Sequence, residues 1–543
     1  MMKKLLSLIL VGTLSASLLA GCGSKATPAD AGVTVTFAKE NDVISMNSMY
    51  ATDGTSFEGI HATVDGLMDQ DESGNLINSL AESYEMSDDG LVYTFKIRDD
   101  ANWDNGEPVT AHDFVYAWTS AATSPEAEYA YLYTKDGAAI AGADEVVYEG
   151  ADVSNFGVVA KDDKTLEVTL SQPTPYFLSL MTFPVFYPVN EAFAKEQGDS
   201  YGLMPENLLS CGPYKLATWE KGTKLVFEKN DSYYDADVVK VDNLVFTITP
   251  EVSTSVTAFE GSSVDFTKLN SDLIDKYSTS EEFDTVLEGY LWYLQPNMSD
   301  ENLSNKNLRL ALAYALDKED LVSNVLKDGS ISGQGFVPKA LATGPDGADF
   351  RETAGDYLVP DTTKAQEYFA KALKELGKEE ITISLMYENA DPAKSAAEYI
   401  QANLQQNLPG LIVELDMQIK ENRIELQKDR AFELVLTRWG PDYADPTTYL
   451  NLMLTGNAYN YGDYSSAAFD GAMDKAATAA TPEDRWSALV DAEAILMEDV
   501  PVISVFQVGG ASLIADGVTG LHTHAVGVPY IYKYITKETS ETK

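Results

Sequence analysis

One stretch late in the chain brings together residue types that can contact a ligand. It reads Thr437-Arg438-Trp439-Gly440-Pro441-Asp442-Tyr443-Ala444-Asp445-Pro446. Trp439 offers an aromatic plane and Asp442 a carboxylate, while the Gly-Pro pair between them combines a flexible with a rigid backbone. The alternative is an ordinary turn in which Asp442 caps the backbone that follows it. These ten residues alone leave both interpretations open.

The elements before this stretch predict where it lies. Phe432–Leu436 is apolar enough to be a strand buried on both faces. Upstream, the patterns predict a strand, a helix and a further strand over Ile381–Tyr387, Ala393–Gln406 and Leu411–Met417. Strands that alternate with helices are typical of a parallel α/β sheet, and ligands bind outside the carboxyl ends of such strands. We therefore expect Trp439 and Asp442 at the carboxyl end of a strand.

Length, charge and motifs restrict the class of protein. A chain of 543 residues is too long for one core, so two or three domains are expected. The formal net charge of −47 makes nucleic acid an improbable partner, because phosphate binding needs basic patches. We find no Gly-x-Ser-x-Gly elbow, His-Glu-x-x-His motif, phosphate loop or recognisable pair of catalytic carboxylates, which predicts a binding protein and not an enzyme. Cys211 is expected to be a buried, inert thiol.

The amino terminus predicts export and anchoring. Lys3 and Lys4 precede an apolar segment, Leu5–Ala20, and then the sequence Leu19-Ala20-Gly21-Cys22. This box resembles a bacterial lipoprotein signal, which implies removal of residues 1–21 and lipidation of Cys22, with a palmitate-type chain. Residues 22–32 then form a lipidated tether on the cell surface or the periplasmic face. The alternative is an ordinary secretory signal that contains a cysteine by chance.

Several motifs in one order resemble a known family. The longest is Trp103-Asp104-Asn105-Gly106-Glu107-Pro108-Val109-Thr110-Ala111-His112-Asp113-Phe114-Val115-Tyr116-Ala117-Trp118. The others are Leu170–Phe177, Cys211–Leu216, Phe227–Asp235, Phe259–Phe266, Asn307–Lys318 and Trp439–Tyr443. Together they resemble the oligopeptide-binding lipoproteins of bacterial peptide ABC transporters, which are family 5 extracellular solute-binding proteins.

The resemblance implies a fold and a domain division. The fold is periplasmic-binding-protein-like, type II, with two α/β lobes joined by a hinge and an extra domain inserted into lobe one. The implied division is lobe I over residues 33–64, 186–289 and 507–543, an inserted domain II over 65–185, and lobe II over 290–506. Hinged closure of the lobes on the ligand is the implied mechanism.

The resemblance also implies a site for oligopeptides. Asp442 matches the carboxylate that receives the α-ammonium group of the peptide. Two facing segments, Met49–Gly54 and Arg438–Gly440, would hold the peptide main chain by strand addition. Trp439 would also form an apolar wall. The expected ligand-binding residues are thus Thr52, Asp53, Gly54, Arg438, Trp439, Gly440, Asp442 and Tyr443.

Some positions depart from better-known members and leave the cargo open. Gly440 and Tyr290 stand at or near the positions of two paired cysteines, which are absent here. Arg438 and Lys327 lie next to, but not on, basic positions that bind the peptide carboxylate in some members. The same fold also carries dipeptides, signalling peptides, glutathione, haem and nickel complexes. His522-Thr523-His524 suggests a metal, but no cysteine or acidic cluster accompanies it, so no metal or cofactor is predicted.

The expected partners are an oligopeptide, the permease subunits of an ABC transporter and, through the lipid, the membrane. The protein is expected to be a monomer.

The sequence also makes three local predictions about helices. A polar loop over Asn47–Gly59 leads to a helix over Ile60–Met68, and Thr110 caps a helix with Asp113 three positions on. Asn307–Leu326 forms one amphipathic helix whose Asp317–Asp320 face is solvated.

Overall fold

The computed structural model describes residues 32–71, 74–390 and 392–538. The predicted signal peptide and Cys22 lie outside these ranges. The strands are β1 (Thr34–Lys39), β2 (Met68–Gln70), β3 (Leu76–Asn78), β4 (Ala81–Met86), β5 (Val92–Ile97), β6 (Val158–Asp162), β7 (Thr165–Thr169), β8 (Tyr214–Glu220), β9 (Lys224–Lys229), β10 (Asn243–Ile248), β11 (Phe266–Lys268), β12 (Phe283–Pro296), β13 (Ile331–Ser332), β14 (Ile381–Glu388), β15 (Leu411–Gln418), β16 (Leu434–Trp439), β17 (Ile503–Ile514), β18 (Val518–Thr519), β19 (His522–Thr523), β20 (Tyr530–Ile531) and β21 (Thr536–Lys537).

The α-helices are α1 (Gly54–Thr63), α2 (Ala111–Ala122), α3 (Ala143–Glu149), α4 (Phe177–Leu180), α5 (Glu191–Gln197), α6 (Val252–Glu260), α7 (Ser271–Tyr277), α8 (Lys306–Ala315), α9 (Lys318–Asp320), α10 (Phe350–Ala354), α11 (Thr362–Leu376), α12 (Ala393–Asn407), α13 (Lys420–Lys428), α14 (Thr447–Leu450), α15 (Ala467–Ala477) and α16 (Pro482–Asp499). Short 3-10 turns occur at Glu128–Tyr133, Val153–Asn155, Pro184–Phe186, Gly198–Ser200, Pro205–Asn207 and Asn451–Met453, and Leu321–Leu326 is a π-helix.

A mixed sheet of eleven strands organises the molecule. Its order is β15-β14-β16-β12-β17-β11-β1-β10-β9-β8, with β13 paired to β17. The pairs β14/β15, β14/β16 and β1/β10 are parallel, and helices such as α12 connect the parallel strands. The predicted α/β class is therefore confirmed, as is the strand–helix–strand series over residues 381–418.

Two long strands cross the middle of this sheet. β12 has 14 residues and β17 has 12, and they pair antiparallel from Phe283/Leu513 to Leu294/Ile503. The register of the pair shifts between Leu287 and Leu291, which is a local irregularity of the kind that bends strands. β16, β14 and β15 lie on one side of the crossing pair, and β11, β1, β10, β9 and β8 lie on the other. The two halves have separate large apolar cores.

A smaller antiparallel sheet, β4-β5-β7-β6, lies wholly inside residues 65–185, the predicted inserted domain. Helix α2 packs against β6 and β7, and its Phe114 and Trp118 side chains are fully buried. The predicted cap is confirmed: Asp113 accepts a hydrogen bond from the Thr110 backbone N–H at 2.8 Å, within a capping box. The exact boundaries of the three predicted domains stay predictions.

The prediction for the first helix was wrong. The polar residues expected to form a loop instead begin α1, which runs from Gly54 to Thr63 and ends before the predicted Met68. Asp53 caps it, because its side chain accepts from the backbone N–H of Ser56 at 2.9 Å. The low helix propensity of Gly, Thr and Ser hid this start, although burial from Ser56 onward stabilises the helix.

The single helix predicted over Asn307–Leu326 was also wrong. Helix α8 ends at Ala315, and Leu316 has φ −78° and ψ 112°, which no α-helical residue adopts. Asp317 then caps α9 by accepting from the Asp320 N–H at 3.1 Å. The face expected to be solvated also contains Lys318, which is buried and donates to the Gly333 carbonyl at 2.6 Å. Side chains of α12 satisfy backbone groups at the break: Asn407 donates to the Ala315 carbonyl at 2.8 Å, and Asn403 accepts from the Asp317 N–H at 3.0 Å.

Candidate ligand-binding site

Strand β16 carries the predicted site residues to the carboxyl edge of the sheet. It is parallel to β14, with Leu385 opposite Leu434, and antiparallel to β12, with Leu291 opposite Trp439. The strand is three residues longer at its end than the predicted Phe432–Leu436 segment, because pairing with β12 continues through Trp439. The placement of Trp439 at the carboxyl end of a strand, with Asp442 just beyond it, is confirmed.

The carboxylate of Asp442 is partly buried, and no basic side chain pairs with it in the described part of the chain. Its Oδ2 atom accepts a hydrogen bond from the hydroxyl of Tyr131 at 2.6 Å. Burial raises the pKa of Asp442 to about 6, and the hydrogen bond from Tyr131 opposes this rise. Among the described residues, no lysine, arginine or histidine forms an ion pair with Asp442. A buried acid in this state is stabilised by any ammonium group that reaches it.

The turn around Asp442 is held by a different carboxylate. Asp445 accepts hydrogen bonds from the backbone N–H and the hydroxyl of Thr447, at 3.0 and 2.7 Å. Arg485 adds two contacts of 2.8 Å to the same carboxylate. The capping role that was the alternative for Asp442 thus belongs to Asp445, and the Asp442 carboxylate is left for another partner.

Tyrosines surround Asp442. Burial, followed by the negative charge of Asp442, raises the pKa of Tyr129, Tyr131 and Tyr459. Burial also raises the pKa of Tyr290. The charge of Arg438 opposes this rise, and the charges of Glu288 and Asp442 add to it. Sequence analysis named Tyr290 for its position relative to Gly440 but missed the other three tyrosines. Tyr129 and Tyr131 lie in a 3-10 turn more than 300 positions before Asp442, and no local pattern indicates that contact.

The predicted segment at Thr52–Gly54 faces the same region. The charge of Asp53, like that of Asp442, raises the pKa of Tyr129, so both carboxylates lie near one hydroxyl. The side chain of Asp53 is occupied with capping α1, where it accepts from both the N–H and the hydroxyl of Ser56. Thr52 and Gly54 are exposed, and a Cβ atom added to Gly54 would meet open space. The structure therefore leaves their backbone accessible.

The residues of the facing segment, Arg438–Gly440, pack closely against tyrosine rings. A Cβ atom on Gly440 would lie 2.3 Å from Cε1 of Tyr290, so this approach requires glycine. The two positions that replace the paired cysteines of other members are therefore in direct contact. The guanidinium carbon of Arg438 lies 5.2 Å from the ring centroid of Tyr290, and Trp439 packs edge-on against Tyr459 at 5.2 Å. The Trp439 indole N–H is buried and has no partner among the described residues.

The side chain of Tyr443, expected to bind the ligand, packs against Tyr176 instead. Its ring is 5% exposed and stacks on Tyr176, with centroids 4.3 Å apart and planes 8° from parallel. Tyr176 belongs to the predicted inserted domain and Tyr443 to predicted lobe II. The stack packs these two regions together, so the structure does not bring the Tyr443 side chain into the open region beside Asp442.

Other chemically interesting residues form no reactive site. Cys211 is 2% exposed, and burial raises the pKa of its thiol, in agreement with an inert role. His522 and His524 lie on or beside the short strand β19, and burial lowers the pKa of His524 to about 4. No three His, Cys, Asp or Glu side chains in the described part of the chain are arranged to hold a metal ion. Residues 198–202 fit the pattern Gly-x-Ser-x-Gly, yet they follow a helix and not a strand.

The architecture defines a class of protein. Two α/β regions joined by crossing strands, with a buried acid beside them, form the fold of an extracellular solute-binding protein. Sequence comparison agrees: the profile of the bacterial extracellular solute-binding proteins, family 5, matches residues 75–461. The chain belongs to this family. Within the described ranges, no helix has both the length and the apolar character needed to cross a bilayer.

Similar proteins match over nearly the full length. The dipeptide-binding protein of Lactococcus lactis subsp. cremoris is 33% identical, and the match covers 98% of each chain. The periplasmic oligopeptide-binding protein OppA of Salmonella typhimurium is 29% identical, over 95% of each chain. The solved structure of Listeria monocytogenes OppA bound to peptide superposes with a TM-score of 0.74 at 33% identity, covering 94% of this chain and all of that one. These likenesses confirm the predicted fold and family.

Proposed function

We propose that this protein captures peptides between its two lobes and delivers them to an ABC permease without cleaving them. The observation that supports this proposal best is the partly buried Asp442 carboxylate, which has a raised pKa and a hydrogen bond from Tyr131 but no basic partner among the described residues. Every linear peptide with a free amino end brings an ammonium group that satisfies this carboxylate. The similarity to a dipeptide-binding protein and an oligopeptide-binding protein supports the same cargo.

The two facing segments complete the proposed site. The peptide main chain lies between Thr52–Gly54 and Arg438–Gly440, and Trp439 lines one wall for a side chain. Hydrogen bonds to the main chain are common to all peptides, so this arrangement tolerates many sequences. The Tyr131 hydroxyl comes from the inserted domain, and it contacts Asp442 only when that domain and lobe II approach each other. Binding of the ammonium group thereby favours the closed state.

Anchoring and organisation belong to the same proposal. Cys22 carries the lipid that holds the monomeric protein at the outer face of the cytoplasmic membrane, and residues 23–32 tether the folded part. Lobe I, the inserted domain and lobe II have the boundaries given by the resemblance. Replacement of Cys22 by serine, followed by membrane fractionation and mass analysis, tests the anchor: the proposal expects release of the protein and loss of the lipid mass.

Titration calorimetry of a peptide mixture of two to six residues tests the binding role. The wild type binds, and Asp442→Asn loses binding by at least a hundredfold, because breaking a buried ion pair costs about 3–5 kcal/mol. Asp100→Asn is the matched control, since Asp100 forms an exposed pair with Arg98 and lies away from Asp442. Equal affinity of Asp442→Asn and the wild type would overturn the role of Asp442.

A further inference from the structure

We propose that the protein binds a small monovalent anion, such as chloride, in a cavity between strand β13 and helix α10. The buried guanidinium group of Arg351 holds the anion, which stabilises the segment that joins these two elements. None of the proposed peptide-binding residues lines this cavity. The inference therefore stands apart from the proposed function and does not depend on it.

The cavity lies against the crossing strands, where β13 pairs with β17, and has a volume of about 10 Å³. The described residues that line it include Gly333, Gly335, Lys339, Arg351 and Gln507, and none of the described lining residues is acidic. A space of this size holds one water molecule or one small ion and excludes larger ligands. The wall is thus basic, although the chain has a net charge of −47.

The guanidinium group of Arg351 has donors that no protein atom uses. The residue is 6% exposed, and its Nη2 atom pairs with Glu493. Its Nε and Nη1 atoms are buried, and neither has a hydrogen-bond partner in the part of the chain that the structure describes. A buried N–H group without an acceptor is costly, so an acceptor placed here stabilises the folded protein.

The other buried arginines of the described chain lack such spare donors. Each of the three guanidinium nitrogens of Arg309 donates to a backbone carbonyl. Arg423 pairs with Glu388 and also donates to two neutral side chains. Protein partners therefore satisfy Arg309 and Arg423, and Arg351 is the exception.

The buried charges around the cavity do not cancel. Arg351 and Glu493 neutralise each other, but Lys318 is only 4% exposed and donates to the carbonyl of Gly333, which lines the cavity, at 2.6 Å. The carboxylate that acts on Lys318, Asp356, is exposed and forms no ion pair with it. Burial lowers the pKa of Lys318 to about 8, so the ammonium group is still charged at neutral pH. An anion in the cavity compensates this remaining positive charge.

The surroundings of the cavity connect it to the crossing strands. Gln507 of β17 accepts a hydrogen bond from the Lys339 N–H and donates one to the Lys339 carbonyl, both at 2.9 Å. A Cβ atom on Gly335 would overlap Nη1 of Arg351, so glycine allows the guanidinium group to lie against this backbone. An anion bound to Arg351 therefore links α10 to the segment that covers β17.

Scanning calorimetry in sodium chloride and in sodium gluconate, at equal ionic strength, tests the proposal. Gluconate is too large for the cavity. We expect the wild-type melting temperature to rise by about 2 °C or more as chloride replaces gluconate, because chloride binds only the folded protein. Arg351→Lys keeps a cation for Glu493 but lacks the spare donors, and it melts at the same temperature in both salts. Lys318→Met removes the uncompensated charge and reduces the rise.

The matched control is Arg309→Lys, which changes another buried arginine. It melts at a lower temperature than the wild type in both salts but keeps the rise with chloride. A rise that survives in Arg351→Lys would place the anion elsewhere and overturn the proposal.

A second measurement does not require any variant to fold. Wild-type crystals soaked in sodium bromide should show an anomalous difference peak within hydrogen-bonding distance of Nε or Nη1 of Arg351. An ordered water in place of the bromide peak overturns the anion site, whatever the melting temperatures show. That outcome leaves peptide binding through Asp442 untouched, and a failure of peptide binding leaves the anion site untouched.

Discussion

The hydroxyl of Tyr131 lies 2.6 Å from Oδ2 of Asp442, although the two residues are 311 positions apart. Tyr131 belongs to the predicted inserted domain, and Asp442 follows the last parallel strand of the opposite half. Their contact joins two regions of the chain at the carboxylate that has no cation. A ligand ammonium group placed here contacts the acid and the tyrosine together, which couples binding to the approach of the two regions.

The pH dependence of binding follows from the raised pKa of Asp442. The free protein must lose a proton from this carboxyl before an ammonium group can pair with it. Because the pKa is about 6, peptide affinity is highest near pH 7 and falls below about pH 6, by up to tenfold per pH unit. It also declines slightly towards pH 8, because the free α-amino group has a pKa of about 7.7–8.0. Calorimetry from pH 4.5 to 8 measures this profile. Affinity that is unchanged down to pH 5 would contradict the assignment.

The ligand-free protein should become more stable when Asp442 is replaced by asparagine. Folding raises the pKa of this carboxyl from 3.8 to about 6, so the folded state favours the protonated group. Its contribution to stability is therefore complete only below pH 3.8. That contribution is lost as the pH rises through 6, and the ionised group then costs at most about 3 kcal/mol. Asn keeps an acceptor for Tyr131 without the charge.

Scanning calorimetry of refolded, ligand-free protein measures this effect. The melting temperature of Asp442→Asn exceeds that of the wild type at pH 8, and the difference shrinks towards pH 4. The control Asp100→Asn shows no such pattern, because that exposed pair contributes little. A lower melting temperature for Asp442→Asn at pH 8 would show that the acid has a stabilising partner.

Replacing Tyr131 by phenylalanine removes the one side-chain hydrogen bond to Asp442. That bond lowers the pKa of the acid, so its loss raises the pKa further and moves the pH midpoint of binding upward. Peptide affinity at pH 7 falls about tenfold or more, since hydrogen bonds to charged groups contribute about 1.5–3 kcal/mol. Tyr84→Phe, at an exposed tyrosine on β4, is the control. An unshifted midpoint in Tyr131→Phe would separate the tyrosine from the ligand site.

Adding one methyl group at Gly440 should disturb the site without unfolding the protein. The new Cβ atom would lie 2.3 Å from Cε1 of Tyr290, and overpacking of this kind costs about 1–3 kcal/mol. Gly440→Ala therefore loses about tenfold or more in peptide affinity, and Tyr290→Ala in the same chain restores part of it. Gly471→Ala, where a Cβ atom meets open space, is neutral. Wild-type binding by Gly440→Ala would rule out a tight approach.

Local patterns predicted the elements that carry the site better than the site itself. The alternation of apolar residues gave the strands and helix between Ile381 and Gln418 because burial sets that pattern, and Thr110 with Asp113 gave a helix start because capping is local. The break at Leu316 was missed because the side chains that satisfy its backbone groups, Asn403 and Asn407, lie on α12, far along the chain. Tyr131 and the stack of Tyr176 on Tyr443 were missed because tertiary contacts alone bring them together.

Native mass spectrometry of residues 23–543 tests the central claim most directly. The protein is measured as purified from its host and again after unfolding and refolding, which releases bound cargo. The account predicts a series of adducts at the masses of short peptides in the first sample and none in the second, with the Asp442→Asn protein free of adducts in both. A single sharp adduct of non-peptide mass that persists in Asp442→Asn would contradict it.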